Sequence, residues 1–150
     1  MDISFQEEKI IDLREEIEPL LIKHWEELAN NKDTRPLDVD FDLYIKLNED
    51  GFIKVFTARI EGELIGYASF FIANNLHYKT WKYATADVYY LDPAYRKQGL
   101  GFIFFKEIKE WLKYLEVKSV TVQDKLNHSH RDFFIKIGFT PVEQLYEIML

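Results

Sequence analysis

The stretch YYLDPAYRKQGLGF, residues 89–102, places an apolar run, an Asp-Pro step, an Arg-Lys-Gln loop and two glycines one residue apart directly before a helical pattern. A strand that turns through glycine into a helix is a general device for holding phosphate. Its backbone N–H groups converge in the loop, and the helix N-terminus adds a partial positive charge. Glycine lets a phosphate approach the backbone closely. The same pattern also serves as a plain strand–helix turn with exposed basic residues. It is not a dinucleotide fingerprint, because the third glycine is absent, and not a Walker loop, because no Gly-Lys-Ser/Thr follows.

On the N-terminal side of this stretch, YATADVYYL reads as a strand closed by Asp92-Pro93. Before it, FIKVFTARI and LIGYASFFIA are rich in aromatic and β-branched residues and are separated only by EGE, which predicts a β-hairpin turning at Gly62. NNLHYKTW between the second and third strands reads as an irregular loop. Further upstream, Ile10, Leu13, Ile17, Leu20, Leu21, Trp25 and Leu28 recur at helical spacing, with Pro19 predicting a kink or a break. A polar connection with Pro36 leads into a short helix that stops at Gly51.

Downstream, Phe104, Phe105, Ile108, Trp111, Leu112 and Leu115 predict a helix, and VKSVTVQ alternates as a half-buried strand does. SHRDFFIKI predicts a short helix ending at Gly138, and GFTPVEQLYEIML one or two terminal strands. The predicted order is α-α-β-β-β-α-β-α-β. It describes a single α/β (α+β) domain over residues 1–150, a mixed sheet flanked by helices.

The 150 residues fit one domain, and 47% hydrophobic with 16% aromatic content supports a substantial core. With no cysteine, disulfides and thiolate chemistry are excluded. No apolar run approaches the ~18 residues of a membrane span, and the acidic N-terminus is unlike a signal peptide. A cytoplasmic protein without membrane association is expected. Of the net charge of −7, residues 1–50 hold 15 acidic and 6 basic side chains, a net of −9, and the rest hold 11 and 13, a net of +2. That balance argues against general nucleic-acid binding. It reads either as a solvated acidic helical face or as a region that attracts a cationic substrate.

RKQGLG matches the Arg/Gln-x-x-Gly-x-Gly/Ala signature of the GCN5-related N-acetyltransferases, the GNAT family, in the family's context of strand, loop and helix. NHSHRDFFIKIGF resembles a second family block, with Asn127, Gly138 and Phe139 at matching positions. More weakly, HWEELANNKD and FTARIEGELIGYASFFIANNLHY are similar to small phage-type members. The resemblance implies an acyl-CoA N-acyltransferase fold and acetyl-CoA as cosubstrate. Its pyrophosphate would be held by the amides of Gln98, Gly99, Leu100 and Gly101, with Arg96 and Lys97 offsetting its charge. Backbone groups of Tyr89 and Leu91 would pair with the pantetheine arm, and Asn127 and Phe134 would adjoin it from the second block.

The implied activity is direct transfer of an acetyl group to a primary amine, cationic by the acidic N-terminal third, on a small molecule or a protein. The alternative is a non-catalytic CoA-binding or protein-interaction module on the same fold. A longer acyl donor is a further alternative. Amine acylation needs a base, and the resemblance assigns it to Asp87, nine residues before Arg96. Asp92 is better suited to starting a turn before Pro93. The position of the family's acid tyrosine is Phe134, which has no proton to give: either CoA leaves as a thiolate or takes its proton from water, or another group serves (Tyr90, Tyr78, His128 or Tyr146), or the protein is a weak catalyst. His77 and Tyr78 lie in a loop that could line the acceptor pocket, and His24 reads as structural. No metal is expected, since His128 and His130, two apart, would diverge on a helix. The apolar QLYEIML suggests pairing in a homodimer.

Overall fold

The computed structural model describes residues 2–150, apart from the side chain of Gln98. Strand β1 (Ile3–Glu8) leads into helix α1 (Ile10–Leu28) and helix α2 (Phe41–Glu49). Strands β2 (Ile53–Ile60), β3 (Glu63–Asn74) and β4 (Lys82–Leu91) follow. Two 3-10 turns, Pro93–Tyr95 and Lys97–Gly99, precede helix α3 (Leu100–Tyr114), strand β5 (Ser119–Thr121) and helix α4 (Arg131–Lys136). The sheet order is β1-β2-β3-β4-β5, antiparallel except for the parallel β4–β5 pair.

The β2–β3 hairpin closes on the pair Ile60–Glu63, and both central residues have positive φ, Glu61 at 48° and Gly62 at 84°. That is the primed turn whose twist matches its strands, and it is why a glycine stands there. One face of the sheet is covered by α1, whose Ile10, Leu13, Ile17 and Leu20 pack on Ile53, Val55, Tyr67 and Tyr90, and by α2, whose Phe41, Tyr44, Ile45 and Leu47 lie against that cluster. The other is covered by α3, whose buried Leu100, Phe104, Phe105, Ile108, Trp111 and Leu112 lie on Phe56, Ala68, Phe70 and Leu91. Each such side chain, fully buried, contributes about 1.5–3 kcal/mol.

Three expectations are corrected. Strand β1 was not anticipated; its apolar signal is only Ile3 and Phe5, and Phe5 becomes legible as core once it stacks on Phe104 at 5.8 Å. Of the kink or break expected at Pro19, the break does not occur: helix α1 is continuous from Ile10 to Leu28. Pro19 lies on the exposed side, so the carbonyl that loses its partner, Glu15's, faces solvent. The terminal strands are absent: residues 139–150 form no strand, and Val142, Leu145, Tyr146 and Ile148 are exposed. A strand exists only with a partner edge, and β5 offers three residues.

Candidate active site

Pairing between β4 and β5 covers only Tyr83, Ala84 and Thr85. Beyond Thr85, β4 continues for six residues with no strand on that side among the described residues. The direction of its backbone groups follows from the ladder. Leu91 stands opposite Gly66, and the Asp92 N–H reaches the Ile65 carbonyl at 2.8 Å. That makes Leu91–Gly66 a non-hydrogen-bonded pair, so the N–H and C=O of Leu91 point away from β3. Those of Tyr89, two residues back in the same register, do likewise. The Leu91 carbonyl is already used, accepting from Arg96 Nε at 2.7 Å. Tyr89 leaves its backbone groups on the open edge, while its side chain lies among Phe104, Phe105 and Phe133 and donates from its hydroxyl to the Gly101 carbonyl.

Just beyond this edge, Gly99 is the N-cap of α3 with φ at 78°, and no side chain caps the helix. The first amides of α3, at Leu100 and Gly101, therefore have no side-chain partner and are available to an anion. A Cβ at Gly99 would meet nothing within 4 Å. Uncapped amides, an open strand edge and free space beside a left-handed glycine fit a ligand with a phosphate group and a hydrogen-bonding arm. Lys97 is exposed at the rim. Arg96 is not free: its guanidinium donates twice to Glu27, at 2.6 and 2.7 Å, and stands 5.5 Å from the Tyr90 ring centre.

Asp87 owes its position to a β-bulge. Ser69 pairs with Val88 and Phe70 with Ala86, so Asp87 is an extra residue with no partner in β3. Val88 and Tyr90 face α1 and α2. Strict alternation from them would send Asp87 to the opposite face with Tyr89. The bulge instead re-aims it, and Asp87 Oδ2 accepts from Tyr44 Oη on α2 at 2.6 Å and from Ser69 Oγ on β3 at 2.9 Å. Burial first, and then this bond to a carboxylate, raise the Tyr44 phenol well above its ordinary range, so it stays protonated. Further along the same face the helices end, and Phe71 and Trp81 are 42% and 47% exposed. Neither Tyr44 nor Ser69 was singled out from the sequence; both lie far from Asp87 in the chain, and only the fold joins them.

Next to this carboxylate lies a buried aromatic group. His24 Nδ1 is 2.9 Å from Tyr67 Oη, and its ring stacks on Tyr90 at 4.8 Å. Burial, opposed by the nearby Glu27 carboxylate, lowers His24 to about 4, so it is neutral at pH 7. The Tyr90 hydroxyl is buried with no hydrogen-bond partner, and burial raises its phenol. Asp92 caps the turn through Ala94 N–H and pairs with Lys23 at 2.7 Å; these outweigh its burial and hold it below the usual carboxylate range.

The second block is brought to α1. Asn127 donates to Asn30 Oδ1 at 2.8 Å. Phe134 packs on Phe133 and Phe139, and it is Phe133 that adjoins Tyr89 and Gly101. His128 and His130 precede α4 instead of lying within it, which is why their rings meet at 5.0 Å instead of diverging. Among the described residues there is no group of three or more metal-ligating side chains. Tyr78 is exposed, and Tyr146 lies in the terminal segment, bonded to Gln144. No described helix is long and apolar enough to cross a membrane.

A comparison with curated proteins finds no match. Among solved structures, ribosomal-protein-alanine N-acetyltransferase from Brucella melitensis biovar Abortus is similar with a TM-score of 0.77 at 15% identity, covering all of both chains. An aminoglycoside acetyltransferase from an uncultured soil metagenomic sample aligns with a TM-score of 0.78 at 14% identity, over 100% of this chain and 99% of that one. A predicted acetyltransferase from Clostridium acetobutylicum, solved with acetyl-CoA, aligns with a TM-score of 0.70 at 15% identity, over 99% and 96%. At such identities these likenesses establish the fold, and the profile of the acetyltransferase (GNAT) family matches residues 13–139. The chain belongs to that family of acetyltransferases.

Proposed function

We propose that the protein acetylates a primary amine by direct transfer, with Asp87 accepting the proton that the amine loses. The observation that carries this is the bulge, which turns the Asp87 carboxylate onto the α1/α2 face beside the open edge of β4. When bound, acetyl-CoA supplies a thioester carbonyl reactive towards a neutral amine. The chain's part is to hold, align and deprotonate. Gln98, Gly99, Leu100 and Gly101 would offer backbone amides to the phosphates, Tyr89 would pair its free backbone groups with the arm, and Lys97 would add charge. Arg96 and Asn127, tied to α1, would shape the walls of the cleft.

Tyr44 and Ser69 both donate to Oδ2 of Asp87, which fixes the carboxylate and leaves Oδ1 to receive a proton. Tyr90 keeps its proton at neutral pH and has no acceptor of its own, which supports it as the donor that Phe134 cannot be. A cationic acceptor is supported by the net charge of −9 over residues 1–50, the part of the chain that builds α1, α2 and their connection on the Asp87 face. The exposed Phe71 and Trp81 would flank such a cation with aromatic faces. Structural neighbours include aminoglycoside and ribosomal-protein-alanine acetyltransferases, so both small and protein-borne amines belong in the test.

The test is a panel of polyamines, aminoglycosides and peptide amines, followed by release of free thiol from acetyl-CoA. Asp87→Asn lowers kcat/KM by about 10²–10⁴-fold on the accepted amine, with acetyl-CoA affinity unchanged. Equal activity of Asp87→Asn and wild type would remove Asp87 from the reaction.

A further inference from the structure

The cleft opens at the carboxyl ends of two adjacent parallel strands, where ligands of such sheets bind. One wall is the loop after β4, carrying Arg96; the other is the loop after β5, residues 122–130. That second loop is compact, because Asp124 accepts from Ser129 Oγ at 2.6 Å and from the His130 N–H at 2.7 Å. Neither wall is joined to the other by a strand. Both are instead joined to the end of α1. Glu27 takes both guanidinium bonds of Arg96, at 2.6 and 2.7 Å, and on the other side its Oε1 stands 3.6 Å from His128 Nε2. Lys125 Nζ donates to the Leu28 carbonyl at 2.7 Å, and Asn127 to Asn30 at 2.8 Å.

We propose that Glu27 is a positioning residue, a clasp that spans the mouth of the cleft and sets how fast acetyl-CoA leaves it. The inference rests on the reading that acetyl-CoA occupies this cleft. The physical basis is that a two-pronged Arg–carboxylate pair fixes direction as well as distance. Arg96 is fixed at its other side by Leu91 of β4, the strand that lines the cleft. The pair therefore links α1 rigidly to β4. Lys125 and Asn127 link the same helix end to the opposite wall. Without the Glu27 carboxylate, Arg96 keeps only its bond to β4, and the two walls separate more readily.

Glu27→Gln tests this, with Glu26→Gln beside it. Glu26 is exposed, has no side-chain partner among the described residues, and loses the same charge. Stopped-flow displacement measures the release rate of acetyl-CoA from each. Loss of one charge-assisted pair at a partly exposed site predicts release about fivefold faster for Glu27→Gln. The KM for acetyl-CoA rises in step while the KM for the amine stays constant. Glu26→Gln releases at the wild-type rate. Lys125→Met, which frees the other wall from Leu28, accelerates release in the same direction and keeps the idea testable should Glu27→Gln fold poorly. Wild-type release from Glu27→Gln, or equal acceleration by Glu26→Gln, overturns the clasp while leaving the acetyl-CoA site standing. Failure of the wild type to bind acetyl-CoA overturns the functional reading and the clasp with it.

Discussion

Replacing Gly66 by alanine probes the meeting of β3 and β4 at the closed side of the cleft. A Cβ at Gly66 would stand 2.9 Å from the Tyr90 carbonyl oxygen, 3.0 Å from Leu91 Cδ1 and 3.4 Å from Leu91 Cα. Two of these neighbours are backbone of β4, which cannot rotate away, and Leu91 is itself buried against α3. The backbone of Gly66 does not require glycine, so the cost is steric alone. Overpacking of this kind costs about 1–3 kcal/mol. In a domain of this size each kcal/mol lowers Tm by roughly 2–4 °C, so a fall of roughly 2–12 °C follows. Because relief comes from moving β4, the same substitution weakens acetyl-CoA binding. Gly99→Ala is the contrast: its Cβ meets nothing, and it pays only about 1–2 kcal/mol for φ at 78°. Thermal unfolding followed by circular dichroism, with calorimetric titration on the same samples, measures both effects. A Gly66→Ala protein as stable as wild type would refute the close approach of β3 and β4 that orders the whole open edge.

Three further outcomes follow from the same structure. His24 binds protons less readily folded than unfolded, so the unfolded chain takes up more protons between about 6.5 and about 4. Stability therefore falls as pH drops through that window, by about 3 kcal/mol in full, and His24→Gln flattens the fall in urea titrations at pH 7 and pH 5. Arg59, side chain 11% exposed, holds Glu8 and Glu16 from β2 and also donates to the Gly62 carbonyl. Arg59→Met leaves Glu8 partly buried and uncompensated and costs about 3 kcal/mol in chemical denaturation. Tyr44→Phe removes one of two donors that fix Asp87, and lowers kcat/KM for the amine by roughly 10-fold with acetyl-CoA affinity unchanged.

Features set by neighbours in the chain were legible. The Glu61-Gly62 turn, the end of α2 at Gly51, the apolar stripe of α3 and the glycine loop all depend on spacings within a few residues. Asp87 was legible as a residue but not as a site. Its bulge depends on how β3 and β4 register, and its donors Tyr44 and Ser69 arrive from other elements. Arg96 and Asn127 were expected to serve the cofactor directly; that Glu27 and Asn30 engage them depends on where α1 ends in space. Strand β1 escaped notice because two apolar residues make no period. The terminal segment had the composition of a strand, but composition supplies no edge to pair with.

In the proposed reading, the turn from β4 into α3 holds acetyl-CoA. Calorimetric titration of the purified protein with acetyl-CoA, beside Gly99→Glu, is the decisive measurement. The substitution sets a carboxylate in the open space where the phosphates would lie, at a residue whose φ also resists it. Saturable binding by the wild type, weakened at least about 100-fold in Gly99→Glu, is the predicted result. No binding by the wild type at millimolar acetyl-CoA, or equal binding by both proteins, would contradict it.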